Sequence, residues 1–147
     1  MNPRPTLLNM TTPLSAAVAR HRMVHDFIAE AGLLDRWPNV LAVGVERSLS
    51  GAVRRRAGFY IAADPFTSDG TDLTALRAGA FDLILCGHFL EEIDDDRLPV
   101  SGLARATAPD GVCLVTPIHD PAGTTARLTA AGFRVDQPLP GLLACRL

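Results

Sequence analysis

The chain has 147 residues, 48% of them apolar and 20% charged, with a formal net charge of -2. That length suits one domain and lets it take roughly 68–70% of its surface out of water. The composition excludes a disordered tail, no apolar run nears the ~20 residues of a membrane span, and the charge disfavours a strongly electrostatic nucleic-acid binder.

The opening MNPRPTLLNMTTP carries one Arg and two prolines before any helix and does not read as a signal peptide. All 14 basic residues are Arg, a bias that with the abundant Ala, Gly and Pro looks like GC-rich coding. Cys86, Cys113 and Cys145 each sit in an apolar, strand-like run, and no two share a metal-site spacing. Buried free thiols in a reducing, cytoplasmic setting are expected.

The first 11 residues read as loosely ordered. Thr12 and Pro13 then supply an N-cap and a first-turn proline. Leu14, Ala17, Val18, His21, Val24, Ile28 and Ala31 form one stripe of a helix over residues 12–32 that Gly32 can end. After a Leu33–Pro38 connector, strand and helix patterns alternate, which predicts an α/β sheet.

VLAVGV, residues 40–45, suits a strand buried on both faces, and residues 48–57 a helix closed by Gly58. Phe59–Ala63 reads as a second strand ending at Asp64-Pro65, and Asp72–Ala78 as one or two helical turns. FDLILC, residues 81–86, is a third strand. Asp94-Asp95-Asp96 then precede a helix over residues 97–108. Pro109-Asp110-Gly111 reads as a turn into a fourth strand, VCLVT, residues 112–116. A helix over residues 124–131 stops at Gly132, and residues 133–136 and 142–147 read as a hairpin around QPLPG.

Several of these residues carry a family signature. Phe81-Asp82, Gly87-His88, Leu90-Glu91-Glu92, Leu103-Ala104-Arg105 and Pro109-Asp110-Gly111 follow one another as in the central strands of class I S-adenosylmethionine (SAM) dependent methyltransferases. NVLAVGV resembles that family's first strand, and AAGFRV with LLACRL its closing antiparallel hairpin. The resemblance covers residues 39–147. It implies a Rossmann-like, mostly parallel sheet with a C-terminal antiparallel hairpin, here preceded by an N-terminal helix.

Two departures from that pattern stand out. The family's first strand ends in an acid and runs into Gly-x-Gly-x-Gly, whose backbone closes on the amino-acid part of SAM. Here Ala42 replaces the acid, Gly44 is kept, and Glu46 and Ser48 occupy the next glycine positions. Glu46 stands where the SAM carboxylate would approach, although it could instead reach the SAM amino group. The resemblance assigns Asp64 to the ribose hydroxyls and Asp72-Leu73 to the adenine loop. These lie too close together for the helix and strand expected between them, so the sheet is expected to be one helix-strand unit short. A second alignment takes Phe59–Ala63 as the family's third strand and loses the second.

Candidate chemistry centres on His88 and His119, which follow strand C-termini, where open α/β sheets bind ligands. Either could serve as a general base or simply order its loop. His21 and His25 share a helix face, but Arg22 stands where a zinc-protease motif needs Glu, so no metal is expected. Arg54-Arg55-Arg56 and Asp94-Asp95-Asp96 lie near a helix C-terminus and a helix N-terminus, where their charges are favourable. No Gly-x-Ser-x-Gly, phosphate-binding loop or nucleophilic Cys-His pattern occurs.

The expected protein has the methyltransferase fold but has lost SAM-dependent methylation. It serves instead as a small-molecule-binding or cyclase-type enzyme, or as a non-catalytic partner subunit, and works as a homodimer. The alternative is an active SAM-dependent methyltransferase acting on a small molecule.

Overall fold

Alternating strand and helix patterns become a sheet with helices on both faces. The computed structural model describes residues 13–44, 47–63, 77–91 and 97–147. Thr12, Glu46, Asp64, Asp72, Leu73, Glu92 and Asp94-Asp95-Asp96 lie outside these ranges.

Helix α1 spans Pro13–Glu30. Its first residue is the proline, whose fixed φ and missing N–H suit that position. Gly32 at φ +66 closes it, with the Leu33 N–H donating to the Ile28 carbonyl at 3.1 Å, a left-handed glycine stop. Then come β1 (Asn39–Val43), α2 (Arg47–Arg54), β2 (Phe59–Ala63) and β3 (Phe81–Cys86). They are followed by α3 (Arg97–Ala106), β4 (Thr107–Val115), α4 (Pro121–Ala130), β5 (Arg134–Leu139) and β6 (Leu142–Arg146).

The six strands lie in the order β2-β1-β3-β4-β6-β5. β2, β1, β3 and β4 run parallel, whereas β6 is antiparallel to β4 and β5 to β6. β2 pairs directly with β1 and forms one edge of this sheet. The expected deletion falls between β2 and β3, in a stretch mostly outside the described residues.

Strict alternation along the central strands builds two apolar layers. Leu41, Val43, Ile84, Cys86, Cys113, Val115, Leu143 and Cys145 pack in one cluster with Leu103 of α3 and Leu128 of α4. Val40, Ala42, Leu83, Leu85, Val112, Leu114, Leu142 and Ala144 join Val24 and Ile28 of α1 and Val53 of α2 in the other. Helices cover both faces, which is why these strands read as continuous apolar runs.

Several expected boundaries move. The helix over residues 97–108 stops at Ala106, and Pro109-Asp110-Gly111 belongs to β4 rather than to a turn. Phe81 pairs with Thr107 but Leu83 with Val112, so β4 carries surplus residues at a bulge. A bulge tolerates a proline that cannot donate a ladder bond. It also needs Gly111, because a Cβ there would lie 2.9 Å from the Phe81 carbonyl oxygen. Turn chemistry served an irregular strand.

Helix α2 ends at Arg54, and residues 55–57 continue as a turn. α4 starts earlier than expected, at Pro121, because the Asp120 side chain caps it by accepting from the Gly123 N–H at 3.0 Å. β5 runs through Gln137-Pro138 to Leu139, leaving Pro140-Gly141 as the corner, with Gly141 at φ +80. Of the expected turns at residues 72–78, residues 72–76 lie outside the described residues, and Ala78-Gly79 form a turn.

The three thiols are free and buried, as expected, and Cys113 faces Cys145 across β4 and β6. Burial raises all three, and Cys145, with Asp136 nearby, is pushed up to about 12. A thiol-specific aromatic disulfide should therefore leave the native protein unlabelled at pH 8 and label three sites per chain in denaturant. Fast native labelling would contradict this core. Ile84, 0% exposed, lies at its centre. Ile84→Ala should cost about 2–5 kcal/mol, read as a lower urea midpoint at unchanged slope.

Candidate functional site

Open α/β sheets bind ligands beyond the C-terminal ends of their parallel strands. At that edge β1 is followed by Gly44, which is exposed and holds φ +62, a conformation that disfavours other residues. Gly87 follows β3, and a Cβ there would collide with the Gly44 carbonyl oxygen. Backbone bonds tie the strand tips together. The Gly44 N–H donates to the Ala63 carbonyl at 3.3 Å, Gly87 to Val43 at 3.0 Å and Thr116 to Cys86 at 3.2 Å. The tip of β1 therefore exposes main chain at Gly44, while Gly87 is buried against it.

Beside them, a single turn of 3-10 helix, His88–Glu91, follows β3 and contains His88. Leu90 anchors this turn in the core at 2% exposure. Glu91, one residue on, points its carboxylate at the segment between β4 and α4. Its Oε1 accepts from the Ile118 N–H, and its Oε2 accepts from the N–H groups of His119, at 2.7 Å, and Asp120. Partial burial pushes the Glu91 carboxyl up. The three backbone bonds and nearby His119 outweigh this and hold it below the usual carboxylate range.

The turn and the β4–α4 segment thus bring His88 and His119 to the same edge of the sheet. His119 is exposed, and its backbone is fixed by Glu91. Sequence reasoning singled out the histidines but treated Glu91 only as a neighbour of His88. Its partners lie 27 to 29 residues away, and no local pattern connects them.

Other singled-out residues stand elsewhere. Asp82, part of the family signature, accepts from the Asn39 N–H at 3.0 Å. It joins the starts of β3 and β1, at the opposite end of the sheet from Gly44. Exposed His25 lies 3.8 Å from half-buried Asp26. Arg56 pairs with Asp35 at 3.2 Å, and Arg54 lies over the Tyr60 ring. Among the described residues, no group of three His, Cys, Asp or Glu is placed to hold a metal ion. None of the described helices is long and apolar enough to cross a membrane.

For SAM, the fit is divided. Gly44 at the tip of β1 is exposed and carries no side chain, which leaves room for a ligand to meet backbone there. Ala42, in the place of the family's strand acid, is 2% exposed and packs in the apolar layer under α1 and α2, so it offers no polar group. Glu46 and Ser48 break the glycine pattern.

Comparison with known proteins matches residues 23–115 to a family model described as a methyltransferase domain. No curated protein sequence matches the chain. Among solved structures, a SAM-dependent methyltransferase from Archaeoglobus fulgidus superposes with a TM-score of 0.59 at 18% identity, over 79% of this chain and 71% of that one. The 1,6-didemethyltoxoflavin-N1-methyltransferase of Burkholderia thailandensis, solved with 1,6-didemethyltoxoflavin and S-adenosylhomocysteine, gives 0.59 at 17% identity, over 88% and 76%. The [4+2]-cyclase SpnF gives 0.55 at 19% identity, over 82% and 60%. At such identities these likenesses establish the fold, and the family match accounts for most of the chain. The chain belongs to the SAM-dependent methyltransferase family and has its Rossmann-like α/β fold.

Proposed function

We propose that this methyltransferase-fold chain binds a small molecule beyond the tips of β1, β3 and β4 and has lost SAM-dependent methylation. It serves as a cyclase-type enzyme or as a non-catalytic partner subunit. The observation that carries this reading is the run Gly44-Val45-Glu46-Arg47-Ser48, in which Glu and Ser stand where the family places glycines. A carboxylate at position 46 repels the carboxylate of a bound amino acid at close range, and any side chain there takes up space that glycine leaves to the ligand. That SpnF, a cyclase, shares the fold shows that this architecture also hosts chemistry named otherwise than methyl transfer.

In this reading exposed Gly44 admits the ligand to bare backbone, buried Gly87 lets β3 pack against it, and His88 and His119 are the groups that take or return a proton. Leu90 and Glu91 hold their turn and segment in place. Asp64, Asp72 and Leu73 keep the ribose- and adenine-side roles that the resemblance assigns, as contacts for a ligand of related shape. The reading includes a cytoplasmic address, which accords with three reduced, buried thiols. It also includes a homodimer, which accords with β2 at the sheet edge and with Phe59, 56% exposed.

A second reading, an active SAM-dependent methyltransferase acting on a small molecule, is favoured by the Gly44–Gly87 geometry and by the neighbour solved with S-adenosylhomocysteine. In it SAM supplies the methyl group on a sulfonium leaving group. This chain's part is then alignment of the acceptor and removal of its proton.

Calorimetric titration separates the two. Wild-type protein should show no binding of SAM or S-adenosylhomocysteine at millimolar ligand, and Glu46→Gly should raise affinity at least tenfold into the measurable range. Micromolar binding by the wild type would replace the first reading with the second. Light scattering should give twice the chain mass; a monomer mass at 100 µM would remove the dimer from the proposal.

A further inference from the structure

The hydrogen bonds of Glu91 do more than close a surface loop. Three successive backbone N–H groups, from Ile118, His119 and Asp120, converge on one carboxylate that comes from the turn after the neighbouring strand β3. The segment holding them lies between Pro117 and Pro121. Neither proline has an N–H, so these three donors are its whole backbone donor supply. None of them is taken by a backbone carbonyl of the sheet, which ends its ladder just before, with the Thr116 N–H on the Cys86 carbonyl. At the other end, the Asp120 side chain is turned towards α4 and caps Gly123. The position of residues 118–120 therefore hangs on a side chain rather than on the sheet.

Glu91 is itself held firmly, because Leu90 beside it is buried in the layer under α3 and α4. The carboxylate can thus act as a rigid peg for a segment with little hold of its own. Two exposed side chains ride on that segment, Ile118 and His119. We propose that Glu91 is the positioning residue of this site, a carboxylate joint that sets where Ile118 and His119 stand and that opens when the carboxylate is removed or protonated. The joint deepens the reading of this sheet edge as the ligand site and rests on that reading for its purpose. Its existence does not depend on any ligand.

The charged group facing the Glu91 carboxylate among the described residues is the His119 imidazole; Asp120 meets it through its backbone N–H, with its own carboxylate on Gly123. A carboxyl held below its ordinary range binds its proton less readily in the closed joint than in the open one. The stabilisation is therefore present above the ordinary carboxylate pKa, about 4.3 for Glu, and is lost as pH falls through the lowered value.

Amide hydrogen exchange on the full, isotope-labelled chain without ligand tests this directly. In the wild type at neutral pH, the amides of residues 118–120 should be protected. Glu91→Ala should cut their protection factors at least tenfold. Protection at Gly87 and Thr116, held by backbone carbonyls, and at Gly123, held by Asp120, should stay within twofold. Glu91→Gln, which keeps the shape and one amide oxygen but loses the charge and one acceptor, should lose protection at one or two of the three amides. In the wild type, protection factors at 118–120 should fall selectively as pH drops below 4, with Gly87 as internal control. Should Glu91→Ala not fold, the Gln variant and the wild-type pH series carry the same test.

Unchanged protection at 118–120 in the variants would overturn the joint. So would equal loss at the control amides, which would make Glu91 a general fold residue. Absence of S-adenosylhomocysteine binding bears on the ligand reading alone, since the exchange measurement needs no ligand.

Discussion

The parallel strands β1 and β3 approach so closely at their C-terminal tips that position 87 has room for a hydrogen and nothing larger beside the Gly44 carbonyl. Much of the molecule follows from this contact. It brings the backbone of Gly87 onto Val43 and lets β1 form the middle of the parallel group, between β2 and β3. Beside it, Gly44 stands exposed at the C-terminal edge of the sheet. A methyl group at position 87 would push the tips of the two strands apart.

Around that contact, the sheet supplies rigidity and two short segments supply chemistry. The turn after β3 is nailed down by Leu90, and the segment after β4 is held by Glu91 and Asp120. Carboxylates thus occupy the amide groups at the start of α4 that would otherwise attract an anionic ligand. Within that turn, Leu90 is buried in the core and Glu91 holds the backbone of the segment that carries His119. Asp82, at the head of the same signature, serves the fold at the other end of the strand.

The family and the site pull in different directions, and physics says why. A fold is kept by hundreds of weak apolar contacts that survive wide substitution, so the family match and the shared topology hold at under 20% identity. A cofactor loop depends on a few atoms. Glycine at two positions is replaced here by Glu and Ser, and the strand acid by a buried alanine, without disturbing the strand. Function therefore has to be argued from the loop and the edge rather than from the architecture.

The amino-acid sequence by itself determined the α/β class, the order of strands and helices, the apolar runs of the central strands and the burial of the three free cysteines. These rest on periodicity, on glycine and proline punctuation and on composition, all of which act within a few residues. It also singled out Gly44, His88 and His119, which the fold places after the C-terminal ends of β1, β3 and β4. Boundaries were less legible where one residue type serves two structures. Pro109-Asp110-Gly111 carries the chemistry of a turn but fills a bulge, because only the register against β3 shows that extra residues must be absorbed there. Tertiary structure alone decided that Gly87 must be a glycine, that Asp82 belongs to the fold and that Glu91 reaches residues 118–120. Each depends on groups far apart in the chain meeting within a few ångströms, and that proximity exists only once the strands have paired.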